Sequence, residues 1–138
     1  MRIETISKGL TSHLLASSNP ASVFEAVFWQ CAKQFPQTDY GLLDNPDLER
    51  QLKENILPKD GSFSALRDQL DERCFDAEDQ GQLELSGRYF ALARLMAALD
   101  FYQGDRSTDD LGDAVYEAIM STPDPSDTVQ KINAVLSS

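Results

Sequence analysis

An all-α fold is predicted by three observations. Apolar residues recur at spacings of three and four almost throughout the chain. No run of alternating β-branched and aromatic residues is bounded by hairpin turn residues. Asn19-Pro20, Asn45-Pro46 and Asp124-Pro125 each place a helix-capping side chain before a proline, whose missing N–H costs nothing in a first helical turn. The 138 residues fit one all-α domain spanning 1–138, a size that buries a core without disulfides or metal. The expected architecture is a compact bundle of about six or seven helices around a central apolar helix at about 82–103.

Element by element, Ile3, Ile6, Leu10 and Leu14 mark a first helix with a narrow apolar stripe, which suits a place on the surface of the bundle. After Asn19-Pro20, the residues Val23, Phe24, Val27, Phe28, Cys31 and Phe35 predict a core helix ended by Pro36. A loop over 37–44 carries Tyr40 and Gly41. Asn45-Pro46 then starts a short helix with Asp47 and Glu49 at the positive end of its dipole and Leu48, Leu52 and Ile56 on one side. Pro58 to Gly61 is a turn, and Ser62 is the expected cap of a longer helix carrying Phe63, Leu66, Leu70, Cys74 and Ala77 up to Gly81.

The next segment is the most apolar of all. Leu85, Tyr89, Leu92, Met96 and Leu99 form one stripe, and Phe90, Ala93, Ala97 and Phe101 a second, so this helix is contacted on more than one side. Gly104 is a stop signal, and Ser107 with Asp110 makes a capping pair for a helix from Thr108 to about Ser121 with Leu111, Val115, Ala118 and Ile119 inward. Val129, Ile132, Val135 and Leu136 belong to a last helix capped by Asp124.

The charge balance is 12 basic against 23 acidic side chains, a formal net charge of −11. Binding of phosphates or of an anionic membrane surface needs clustered Lys and Arg, so neither nucleic acid nor a membrane is an expected partner. A basic protein is. Cys31 and Cys74 lie far apart in helical surroundings and are expected as free thiols. The first eighteen residues lack a continuous apolar run of signal-peptide type, and the longest apolar stretch, 89–99, is interrupted by Arg94 and is far below the ~20 residues a membrane span needs. A soluble, cytoplasmic protein is expected.

The acidity is local. Residues 60–80 hold seven acids and two bases, and residues 100–127 hold eight acids and one base. Asp68, Glu72, Asp76 and Asp79 recur at spacings of four, four and three, and Asp109, Asp113 and Glu117 at four and four, so each set is expected to form a ridge on one helix face. Like charges at these spacings oppose the helix by a few tenths of a kcal/mol per pair. One reading is a solvated surface that maintains solubility, helped in the second ridge by the helix dipole. The sharper reading is that one or both ridges dock on a cationic protein surface.

Signatures of chemistry are weak by comparison. The single histidine, His13, has no carboxylate or cysteine at ligand spacing and is expected to be structural or solvent-facing. The stretch Asp76 to Gly81 imitates the first half of a calcium loop, but Gln80 stands at the fifth position and Gly87 where the twelfth requires a bidentate acid. No phosphate loop, nucleophile elbow or CxxC pair occurs. Neither a catalytic residue, a metal site nor a cofactor is predicted, and the chain is not expected to be an enzyme. Among the aromatics, Trp29 is expected in the core, whereas Tyr102 and Tyr116, and less directly Tyr40, are candidate flat anchors of an interface.

The segment Leu99 to Leu111 resembles a pattern in small helical immunity proteins that neutralise bacterial toxins: a helix ending in an apolar residue, a glycine turn, then a Ser/Thr-capped acidic helix. The matching positions are Phe101, Gly104, Ser107, Asp110 and Leu111. The resemblance covers about a tenth of the chain and implies an inhibitor that covers a toxin domain, often a nuclease, with an acidic surface. On this reading Asp105, Asp109, Asp113, Tyr116 and Glu117 are the first candidate contacts, with Tyr102 beside them, and Asp68, Glu72, Asp76 and Asp79 the second. The rivals are a phage or bacterial adaptor or chaperone that grips its partner in an apolar groove between helices, and an all-α hydrolase working through carboxylates.

Overall fold

Three α-helices begin with the same device. Asn19 Oδ1 accepts from the Ser22 amide at 3.3 Å, Asn45 Oδ1 from the Leu48 amide at 3.1 Å, and Asp124 Oδ1 from the Asp127 amide at 3.2 Å, each with proline at the next position. These caps satisfy amide donors that the first turn leaves without an intrahelical partner. They open α2 (Pro20–Ala32), α3 (Pro46–Lys53) and α7 (Pro125–Leu136). α1 (Lys8–Ala16) is capped by Ser7, whose Oγ accepts from the Leu10 amide at 3.0 Å. The remaining helices are α4 (Phe63–Asp79), α5 (Leu83–Tyr102) and α6 (Thr108–Met120). The computed structural model describes residues 2–5, 7–59, 61–104 and 108–137, and among these there is no strand.

Local details depart from the sequence pattern where turns intervene. The first apolar stripe is split between a short 3-10 turn, Arg2–Thr5, and α1, although Ile3, Leu10 and Leu14 are all buried. Residues 37–43, expected as a loop, wind into a 3-10 helix that buries Tyr40 and Leu43. α3 stops at Lys53 rather than running to Ile56. Asn55 adopts a left-handed φ of 58°, the Ile56 amide returns to the Gln51 carbonyl at 2.8 Å, and Ile56 is thereby left exposed. The same closure ends α4: Gly81, at φ 75°, lets the Gln82 amide reach the Ala77 carbonyl at 2.8 Å. Ser62 precedes α4 as expected, but its side chain makes no capping bond.

α4 and α5 form an antiparallel hairpin, and α5 is sandwiched between α4 and α6. Residues 92, 93 and 95–99 of α5 are buried, so both stripes are covered in the second half of the helix, whereas Leu85, Tyr89 and Phe101 are half-buried and Phe90, expected in the second stripe, is exposed because no helix covers it near the hairpin turn. α6 is as central as α5. It packs on α5, α2, α1, α7 and the N-terminal 3-10 turn, burying Leu111, Ala114, Val115, Ala118 and Ile119. The core therefore has a two-helix centre in place of the single post expected at 82–103. Phe24 and Phe28 of α2 close it from the far side, with Phe24 stacked on Tyr102 at 4.5 Å between centroids. Trp29 packs at the core edge, perpendicular to Phe28. Both cysteines are free and buried. Burial lifts the Cys31 thiol from its ordinary 9.0 to about 12. No helix among the described residues is long and apolar enough to cross a membrane.

Candidate protein-docking face

The two acidic ridges meet different fates. On α6, Asp109 is exposed, Asp113 and Tyr116 are half-buried, and Glu117 is only 4% exposed. Glu117 turns inward, where Arg94 of α5 holds its carboxylate at 3.3 Å. Its spacing from Asp113 is helical, but α6 is covered on too many sides for a long outward ridge. Asp105 lies outside the described residues. Tyr102 is also interior: its hydroxyl donates to Glu25 Oε1 at 3.1 Å and its ring lies on Phe24, so it offers no exposed anchor. Tyr40 is buried likewise, donating to the Ala32 carbonyl at 2.8 Å. Burial first, and the neighbouring Asp39 charge second, raise its phenol from 10.0 to about 12.

On α4 the expected ridge exists. Asp68, Glu72, Asp76 and Asp79 are all exposed, opposite the buried side formed by Phe63, Leu70, Cys74 and Ala77. Asp68 is met by Arg67 at 3.2 Å. Glu72, Asp76 and Asp79 have no basic side chain within ion-pair distance among the described residues, because the two arginines of α4 are engaged elsewhere. Arg67 also reaches Asp100 at 3.8 Å, and Arg73 donates to the Leu42 carbonyl at 3.3 Å.

Position along the helix sharpens the contrast between the ridges. Asp109 and Asp110 stand in the first turn of α6, where the dipole favours carboxylates. Asp76, Glu78 and Asp79 stand in the last turn of α4, which carries no base, so the negative end of the dipole opposes them. Helix stability accounts for Asp109 and Asp110, and the ion pair with Arg94 for Glu117. Neither accounts for the acids in the last turn of α4.

An apolar feature missed at the level of sequence lies inside the α4 ridge. Phe75, three residues after Glu72 and four before Asp79, is 64% exposed. Leu83 and Phe90 of α5 are 70% and 47% exposed. The Asp71 to Arg94 ion pair, at 3.1 Å, fixes which side of α4 faces which side of α5. Phe75 lies one turn from Asp71 and Phe90 one turn from Arg94, both towards the hairpin turn, so the two rings open on the same side of the hairpin. Arg94 also lies over the Phe90 ring at 5.5 Å. The result is three large apolar side chains beside Glu72, Asp76, Glu78, Asp79 and Glu84, all exposed. Large exposed apolar groups rimmed by polar ones mark interaction surfaces. The signal for Phe75 was present in its offset from the Leu70, Cys74 and Ala77 stripe.

Beside Phe90 the surface falls into a groove of about 770 Å³ between the end of α2, the 3-10 helix, the start of α5 and the end of α6. Phe35, Phe90, Ala91, Met120 and Pro123 supply its apolar walls. Its one arginine, Arg88, is neutralised within the chain, with Nε and Nη2 at 2.9 and 2.7 Å from Oδ1 of the buried Asp39. Among the described residues no group of three His, Cys, Asp or Glu side chains is placed to hold a metal ion. Compared with protein-family models, with curated proteins and with solved structures, the chain matches none.

Proposed function

We propose that this chain is a binding protein that inhibits a basic partner by covering its functional surface with the α4 face. The observation that carries this reading is the set of unneutralised acids Glu72, Asp76 and Asp79 around the exposed Phe75, the last two in the final turn of α4 where they oppose the helix dipole. A cationic counterpart relieves that repulsion on docking, accelerates encounter and excludes partners of the wrong sign, while a central aromatic supplies the desolvated anchor that dominates interface energy. The resemblance of residues 99–111 narrows the proposal to an immunity protein that neutralises a bacterial toxin, such as a nuclease domain, in the cytoplasm. The mechanism is occlusion, with no bond made or broken by the chain. A hydrolase reading has less behind it: of the groove-lining acids, Asp39 is ion-paired and Glu84 is open to solvent.

The test is co-expression with the product of the adjacent open reading frame. The expected result is relief of that product's toxicity and a complex whose association slows as salt rises. Joint Glu72→Lys, Asp76→Lys and Asp79→Lys substitution should slow association at least about tenfold at low salt. A complex indifferent both to salt and to this charge reversal would overturn the reading.

A further inference from the structure

Gly87 sits in the second turn of a 20-residue helix and lines the groove. A Cβ built there meets nothing within 4 Å, so neither packing nor backbone geometry requires glycine. Glycine inside a helix costs about 1 kcal/mol relative to alanine. What it provides is bare backbone, which allows another chain to approach the helix more closely than any side chain permits.

The surroundings of that bare strip define what fits against it. Phe90 and Ala91 continue along α5, Phe35 and Met120 face them across the groove, and the volume of about 770 Å³ takes several apolar side chains. At the mouth stands Glu84, and beyond it Glu78 and Asp79 at the hairpin turn, all exposed. Among the described residues, the only cation lining the groove is Arg88, and Asp39 holds it.

We infer that the groove is the seat of a cationic amphipathic segment of the partner protein. Its apolar side chains enter between Phe35, Phe90 and Met120, its backbone crosses α5 at Gly87, and its Lys or Arg side chains meet Glu84, Glu78 and Asp79. This rests on the proposed function for the sign of the partner's charge and adds to it the form of the contacting segment. It also gives Phe90 two roles, as groove wall and as the edge shared with the α4 face.

The experiment uses the full chain and three synthetic peptides: a leucine–lysine peptide with helical spacing, a lysine-only peptide of the same charge, and a leucine–glutamate peptide. Binding is read by fluorescence anisotropy and by amide shifts in 15N spectra, for the unmodified chain and for Gly87→Leu. Gly87→Leu fills the groove mouth and is expected to raise the melting temperature, since it improves helix propensity where space is open. The expected result is that the leucine–lysine peptide shifts the amides of Gly87, Ala91 and Met120 and binds Gly87→Leu about tenfold more weakly. The lysine-only peptide should bind both proteins alike, and the leucine–glutamate peptide neither. If the leucine–lysine peptide binds both proteins equally and shifts only residues 72–79, the groove inference falls while the acidic-face reading stands. If neither cationic peptide binds the unmodified chain, both fall. If the leucine–glutamate peptide occupies the groove, the assigned charge of the partner is wrong.

Discussion

Arg94 on α5 reaches Glu117 on α6 at 3.3 Å and Asp71 on α4 at 3.1 Å, so a single guanidinium ties the three innermost layers of the bundle together. The carboxylate of Glu117 is almost wholly buried, and Arg94 Nε has no acceptor. A pair of this kind adds little net stability against an apolar replacement, but removing the guanidinium alone takes a charge-assisted partner from a carboxylate that stays in the interior.

Arg94→Met is therefore expected to lower the free energy of unfolding by about 3 kcal/mol, measured by urea denaturation. Adding Glu117→Leu to Arg94→Met should recover part of that loss, because the buried carboxylate that lost the guanidinium is gone while Asp71 remains charged. A double variant no more stable than the single one would show that packing of the arginine stem, and not the charge, is what matters.

The acids of α4 predict the opposite sign. Replacing Glu72, Asp76 and Asp79 together by glutamine removes like-charge pairs and the two unfavourable dipole contacts of Asp76 and Asp79, and should raise stability by about 1 kcal/mol at low salt. At about 1 M salt, where the screening length is about 3 Å, the gain should vanish. Thermal unfolding at the two salt concentrations measures this, and a loss of stability at low salt would mean that the acids hold the fold.

Phe75 and Phe28 separate surface from core. Phe75→Ala should change stability by less than about 0.5 kcal/mol, since most of its ring already faces water. Phe28→Ala, in a fully buried site, should cost about 3–5 kcal/mol. For partner binding the order reverses. Phe75→Ala should speed dissociation, while destabilised but folded Phe28 variants should bind normally.

Alkaline pH supplies a test of the interior. Cys31 and Tyr40 are raised to about 12 in the folded chain, against 9.0 and 10.0 for the free groups. Above pH 9 the unfolded chain releases the thiol proton that the folded chain retains, so stability falls as pH rises from about 9 to 12, with Tyr40 adding to the slope above about 10. Each group contributes at most about 1.4 kcal/mol per pH unit. Cys31→Ala should flatten the part of the slope between pH 9 and 10 in urea melts across this range. Thiol reagents should also leave Cys31 unmodified at neutral pH until the protein is unfolded.

The helices were legible because each carries its signal within a few residues: a cap and a proline at 19–20, 45–46 and 124–125, a glycine at 81, and stripes at spacings of three and four. The α4 ridge was legible for the same reason, since its buried stripe is unambiguous and its acids lie opposite. Glu117 and Tyr102 were misjudged because spacing defines a face of a helix without saying what lies against that face. α6 has neighbours on almost every side, and the cation that makes an inward Glu117 tolerable sits 23 residues away on α5. The groove was beyond reach in the same sense. Its walls come from four separate elements, and no local pattern around Phe35, Gly87 or Met120 announces that they converge.

The placement of α6 has a consequence for how the chain comes into being. The N-terminal 3-10 turn, α1, α2 and α5 all lean on a helix that begins only at residue 108. A nascent chain whose exposed part ends at residue 104 has Phe24, Phe28, Leu92 and Met96 already outside the ribosome, with α4 and Tyr102 to pack on but without the α6 wall that completes the core. Emergence of Leu111 to Ile119 is then the trigger that lets the earlier helices dock, so synthesis paused just upstream of this segment leaves a sticky, protease-sensitive intermediate.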